Sequence, residues 1–289
     1  MSAKSKRRLL NGIRLALVYA ILAAAAVTIL YPYAWMVVAS LRPTHKDMWD
    51  TGLISGVIPN DVSLEAYQFL MDRVGAGEFS MWVKNSLIFS VGGTLLNVLV
   101  CLLAAYALSN RDLPGGRILL VFFLVTMVIP QQLVGIQLYL VVNDLGLTNT
   151  YTGIVLPLAA EAFSILIMYR FFMEMPSEIL DAARIDGANE LGVLRRVVMP
   201  LARPVIGTVL LQQFVASWNA FTVPLILGQQ NQFRNLQVAM AYFNNELNMN
   251  FRAIMALGSL ITIPVLILFV MTQKTLIRGI TAGAIKGAG

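Results

Sequence analysis

EILDAARIDGANELGVLRRVVMP, residues Glu178 to Pro200, is a charged, helix-forming segment in a chain that is otherwise mostly lipid-soluble. An uncharged apolar stretch, Val205 to Leu227, follows it, and Tyr151 to Tyr169, whose only charge is Glu161, precedes it. Four more stretches lack Lys, Arg, Asp and Glu altogether: Leu15 to Leu41, Ser86 to Leu108, Ile118 to Val142 and Ile254 to Thr272. Each has roughly the 20 residues a helix needs to cross the hydrocarbon core. In lipid every backbone polar group must be satisfied internally, which makes a helix the economical solution. The expected fold is therefore all-α: a polytopic membrane bundle of six transmembrane helices, with Glu178 to Pro200 in water between the fourth and fifth.

Composition agrees. Of 289 residues 58% are hydrophobic and 12% charged, against about 25% charged in an ordinary soluble domain. The net charge of +6 is explained by its placement. With a cytoplasmic N-terminus and six spans, fifteen of the 21 Lys and Arg residues fall on the cytoplasmic side, as the positive-inside bias requires. Both termini are then cytoplasmic. No separate basic face is left for nucleic acid. Lys4, Lys6, Arg7, Arg8 and Arg14 followed by an apolar run resemble a secretion signal, but that run continues to Leu41 and reads as an uncleaved first helix. Cys101 is the single cysteine, so no internal disulfide forms. The chain reads as one membrane domain over residues 1–289. Its longest external loop, Arg42 to Lys84, has a short helix expected at Ser63 to Arg73.

Within the opening segment, Ser177 is the expected N-cap. Glu178 and Asp181 fall in the first turn, where negative charge suits the helix dipole. Ala183 and Gly187, four apart, would share one face with almost no side-chain bulk. A second short helix, Leu191 to Met199, carries Arg195 and Arg196 and is expected to stop at Pro200; Pro204 opens the fifth span. Basic connectors often lie on the membrane surface. Here, however, five acids balance five bases from Arg170 to Arg203. Mixed charge around a small-residue face reads better as a dock for a protein.

The spacing Asp181-Ala182-Ala183, three residues, Gly187, nine residues, Val197-Val198-Met199-Pro200 resembles the EAA motif of permease subunits in ATP-binding-cassette importers. Asp181, Val197 and Met199 replace Glu, Ile and Leu of that motif. Ile185-Asp186-Gly187-Ala188 looks like its carbohydrate branch. Trp35-Met36, Ser40-Leu41-Arg42-Pro43, Asn85-Ser86, Ser217-Trp218-Asn219 and the tail from Arg278 to Gly287 also resemble MalG-type sugar permeases. The resemblance implies a type I importer permease with a cytoplasmic coupling loop over 175–203 and a cytoplasmic tail over 274–289. Asp181, Ala182, Ala183, Arg184, Asp186, Gly187, Ala188 and Pro200 would then form the coupling site for the ATPase. It further implies a second, MalF-like permease, two ATPase subunits and an extracytoplasmic solute-binding protein in a bacterial or archaeal cytoplasmic membrane.

No G-x-x-x-x-G-K-[ST] phosphate loop occurs in the chain, so ATP and Mg are expected on the partner ATPase and no cofactor on this subunit. No catalytic residue and no metal site is expected: metal-ligand spacing is absent and the only histidine, His45, lies in an external loop. Substrate-path candidates are the polar groups within spans: Gln131 and Gln132 after Pro130, Glu161, Gln213, Trp218 and Asn219. Glu161 stands out because an intramembrane acid is costly and normally faces a cavity or a partner. Asn244, Asn245 and Glu246 are candidate contacts for the binding protein. An ion-coupled carrier would have to work through Glu161 almost alone and leaves the Asp181 to Pro200 segment unexplained. An importer for glycerol-phosphate or another polyol is the alternative within the class, but an anion would want Arg or Lys in the spans.

Overall fold

The computed structural model describes residues 3–43, 57–58, 61–109, 113–246 and 251–286. The chain divides into two compact units: Met1–Ala76 with Phe243–Ile263, and Gly77–Tyr242 with Pro264–Gly289. All regular structure among the described residues is helical. Among the described residues three helices are long and apolar enough to cross a membrane, Asn11–Ser40, Ala76–Ser109 and Phe251–Gln273, and up to five if each of two bent helix pairs counts as one span.

In the first unit, α1 (Ala3–Ser40) exposes apolar side chains around its circumference, among them Leu15, Tyr19, Leu22, Ile29 and Leu30. A helix apolar all round belongs in an apolar surrounding. Its end is anchored: the Ser40 hydroxyl shares a 2.8 Å hydrogen bond with the Tyr67 hydroxyl. Tyr67 lies on α2 (Glu65–Val74), which buries Ala66 and Leu70 and corresponds to the short helix expected at Ser63 to Arg73.

The second unit is organised on α3 (Ala76–Ser109), whose buried face includes Asn85, Ser86, Phe89, Gly93, Asn97, Cys101 and Ala105. These recur at three- and four-residue intervals, one side of a helix. Near its start, Asn85 Nδ2 donates to the carbonyls of Gln232 and Arg234, and Ser86 Oγ accepts from the Leu236 amide. Those contacts seat α13 (Leu236–Glu246) and give Asn85-Ser86 a structural task. Toward its end, Cys101, Leu102 and Ala105 join Ile165, Met168, Phe172, Val193, Leu194, Val198 and Val209 in the main core.

Three of the six apolar stretches are not continuous helices. Ile118 to Val142 contains α4 (Gly116–Thr126) and α5 (Gly135–Asp144), separated by an extended Pro130 and a 3₁₀ turn over Gln131–Val134. Tyr151 to Tyr169 divides into α6 (Tyr151–Val155), a 3₁₀ turn at Leu156–Leu158 and α7 (Ala162–Met173), with a 44° bend. Pro157 and an extended Glu161 lie at that break. Val205 to Leu227 leaves the helix after Trp218 and resumes as α12 (Thr222–Leu227), with Pro224 in its first turn. Pro130, Pro157 and Pro224 each lack an N–H to continue a helix. Pro264, by contrast, sits inside an unbroken α-helix over Phe251–Lys286.

Candidate functional site

The charged segment folds as α8 (Ser177–Ile185), α9 (Glu190–Val193), a π turn over Leu194–Val198 and α10 (Met199–Leu201), followed by α11 (Arg203–Trp218). Ser177 is the first residue of α8, Pro176 precedes it, and no side chain caps the turn, which corrects the expected N-cap. The side chain that does cap is Asn189, whose Oδ1 accepts from the Gly192 amide. Nor does Pro200 end the segment: helical backbone continues through it to Leu201. The chain turns at Ala202, and α11 leaves at 79° to the preceding helix.

Gly187 has a reason other than a shared small face. It adopts φ +83° just beyond α8. The Ala188 amide donates to the Ala183 carbonyl and the Gly187 amide to the Arg184 carbonyl. This is a Schellman ending, which needs a left-handed residue and usually brings its flanking apolar residues together. Ala183 and Ala188 are those residues, both half-buried against the main core. The pairing of Ala183 with Gly187 as an exposed dock is therefore corrected: Ala183 faces inward and Gly187 makes the turn. The outward surface is Glu178, Ile179, Asp181, Ala182, Ile185 and Asp186. Ile185 is 86% exposed, an apolar side chain held out among charges.

The segment is tied to itself and to α3. Arg184 pairs with Asp181 at 2.9 Å and with Glu190 at 3.0 Å, and the Tyr106 hydroxyl donates to Glu190 Oε2 at 2.7 Å. The Glu190 carboxyl lies below its ordinary 4.5, first because Tyr106 donates to it and then because Arg184 does. Arg184 is raised, first by Glu190 and then by Asp181. All three charged groups are largely exposed, so each ion pair contributes little stability; their effect is to set geometry. Sequence reading missed Tyr106, which is 84 positions from Glu190.

A second cluster of polar groups sits at the breaks. A cavity of about 280 Å³ is lined by Glu161, Gln213, Ser217, Asn219, Phe221 and Thr222 among others. Gln213 is 4% exposed; its Nε2 donates to the Leu158 carbonyl and to Ser217 Oγ, and its Oε1 accepts from no group among the described residues. Glu161 Oε2 accepts from the Ser164 hydroxyl, and its carbonyl accepts from Cys101 Sγ. Asn219 Nδ2 donates to the Val215 carbonyl and its Oδ1 accepts from Gln237. Trp218 stands apart: it is 1% exposed, stacked on Phe214 and absent from the cavity lining. Gln132 is exposed and also outside that lining. The side chains of Gln131, Asn244, Asn245 and Glu246, and of the tail from 274 onward, lie outside the described residues.

An all-helical chain with several membrane-length apolar helices and a structured charged segment between two of them has the form of a polytopic membrane permease. The chain belongs to the family of binding-protein-dependent transport system inner membrane components, which it matches over residues 97–282. It is 31% identical over 91% of its length, and 93% of the relative's, to the trehalose/maltose transport system permease protein MalG of Thermococcus litoralis. It is 28% identical over 89% of its length, and 91% of the relative's, to the arabinooligosaccharides transport system permease protein AraQ of Bacillus subtilis. A chain from the crystal structure of a bacterial ABC transporter involved in import of the acidic polysaccharide alginate superimposes with a TM-score of 0.78. That chain is 26% identical, and the match covers 95% of this chain and 98% of that one. The likeness to MalG-type permeases drawn from the motifs is thus borne out. The chain is a transport subunit and not an enzyme.

Proposed function

We propose that this chain is one permease subunit of an ATP-driven importer that moves a mono-, di- or oligosaccharide across the cytoplasmic membrane by alternating access. Six spans, three of them broken, would carry it, with both termini and the segment 175–203 in the cytoplasm. Its partners would be a second permease, two ATPase subunits that use ATP and Mg, and an extracytoplasmic binding protein. The observation that carries the reading is the outward face of α8. Ile185 and Ile179 stand exposed beside Glu178, Asp181 and Asp186, and the helix beneath ends in the Schellman turn and carries the Arg184 pairs. A surface apolar in part and mixed in charge suits a protein groove. Asp181, Ala182, Arg184 and Asp186 would meet that groove or hold its geometry, while Ala183, Gly187, Ala188 and Pro200 shape the segment.

The path of force follows from packing. Val193, Leu194 and Val198 are buried with Cys101 and Ala105 of α3 and with Val209 of α11. Leu180 and Ala183 of α8 pack against the same core, so displacement of α8 would be delivered to both helices, since a close-packed core transmits strain. A switch between two arrangements needs only a few kcal/mol of differential contact, which nucleotide-driven closure of the ATPases would supply. Saccharide as cargo is supported by relatives described as permeases for arabinooligosaccharides, diacetylchitobiose and trehalose/maltose. Reconstitution of the four-subunit complex tests the reading. Vesicles given ATP, binding protein and no ion gradient should accumulate saccharide. Uptake that needs an ion gradient and no ATPase subunit would overturn it.

A further inference from the structure

We propose that this chain holds substrate itself: the cavity at the breaks of α6–α7 and of α11 is a subsite for one neutral sugar ring. The inference rests on the importer reading and adds to it which subunit binds and which class of saccharide fits. Three observations converge there. Gln213 is buried, lines the cavity, and leaves Oε1 without a donor. Buried polar atoms are nearly always hydrogen-bonded, so an acceptor left over beside a cavity is one that a ligand or water can use. Glu161 adds a carboxylate at the same wall. Thr222 brings a hydroxyl donor to the same lining. A hydroxyl both donates and accepts; acceptors and donors side by side match a polyhydroxylated ligand.

The lining also sets limits. It contains one acid and no Lys or Arg, so a uronate or phosphate would meet a carboxylate with no cation to offset it. Phe221 offers an exposed ring to the apolar face of a sugar. At about 280 Å³ the space falls just short of the ~300 Å³ at which drug-sized pockets begin, which suits one ring and not a chain of them. A longer saccharide would place a single residue here.

The test uses the complete importer in vesicles with its binding protein and ATP. Ala216 lines the cavity and is exposed, so Ala216→Cys provides a thiol there, while the native Cys101 is buried. Its reaction with a charged methanethiosulfonate is followed in the presence of maltose, trehalose, an arabinose trimer, diacetylchitobiose or an alginate trimer. A neutral saccharide that the vesicles take up should slow labelling, and the alginate trimer should not. Adding Glu161→Gln, which keeps shape and removes charge, should raise the half-protecting concentration by about tenfold, the loss of one charged hydrogen bond. Gln213→Leu should do the same, and the Glu161→Gln arm stands if that variant does not assemble. Uptake with no protection by any transported saccharide overturns the subsite alone. Protection unchanged by Glu161→Gln, or given equally by the alginate trimer, overturns its assignment to a neutral ring held by Glu161. Absence of ATP-driven uptake of every saccharide overturns the importer reading beneath it.

Discussion

The α8–α10 segment and the cavity between the broken spans are both polar regions in an apolar chain, and they use their polar groups in opposite ways. In the segment, Arg184, Asp181, Glu190, Tyr106 and Asn189 are paired with one another or with backbone. Polarity there holds a shape. In the cavity, Gln213 keeps an unused acceptor beside the Glu161 carboxylate. Polarity there is left available. The first use suits the segment's proposed role in transmitting motion, which requires that it not rearrange within itself; the second suits the cavity's proposed role in binding, which requires hydrogen-bonding capacity kept for something else.

Breaking the stiffness of the segment gives the largest expected effect. Leu194 is buried in the core that joins it to α3 and α11. Leu194→Ala should cost about 3 kcal/mol, read as a lower melting temperature of the purified complex and loss of uptake together. Next is Gly187. A Cβ there meets no atom within 4 Å, but φ is +83°, so Gly187→Ala should cost about 1 kcal/mol from backbone strain alone. Gly187→Asn, which tolerates that conformation, should recover part of the loss. Equal behaviour of the two variants would show that bulk and not conformation matters at this turn.

Tyr106→Phe removes the hydroxyl that holds Glu190. A hydrogen bond of this kind contributes about 1 kcal/mol or less, so melting should hardly move. What should change is coupling: more ATP hydrolysed per saccharide imported, because α3 no longer follows the segment closely. An unchanged ratio would remove Tyr106 from the path of force. The smallest effect is on pH. Glu190 has a folded-state value below 4.5, so its contribution is complete above pH 4.5 and lost as pH falls through that lower value. The pH dependence of melting below 4.5 should flatten slightly in Glu190→Gln, and an identical slope would show that the pairing adds no stability.

Much of the segment was legible because its signals are local. Glycine two residues after a helix end, acids in a first turn and a proline at Pro204 each act within a few positions, so the motif and its approximate helices could be read from Asp181 to Pro204. The meaning of Gly187 was misplaced for the same reason: helical spacing puts it on the face of Ala183 only if the helix continues, and Ser177 looked like a cap only if the helix began one residue later. Pro130 and Pro157 are visible in the chain, yet Pro264 is equally visible and breaks nothing. Whether a proline interrupts a helix depends on what its neighbours can pack against.

By itself the sequence determined that the chain is helical, apolar enough for membrane spans, interrupted by a charged connector, and a relative of MalG-type permeases, because hydrophobic run length, charge placement and motif spacing are properties of order along the chain. Tertiary structure alone decided that Tyr106 grips Glu190, that Ala183 turns inward, that Trp218 is packed away while Gln213 lines a cavity, and that Glu161 meets the end of α11. Those facts depend on which residues distant in the chain become neighbours, and composition carries no record of that.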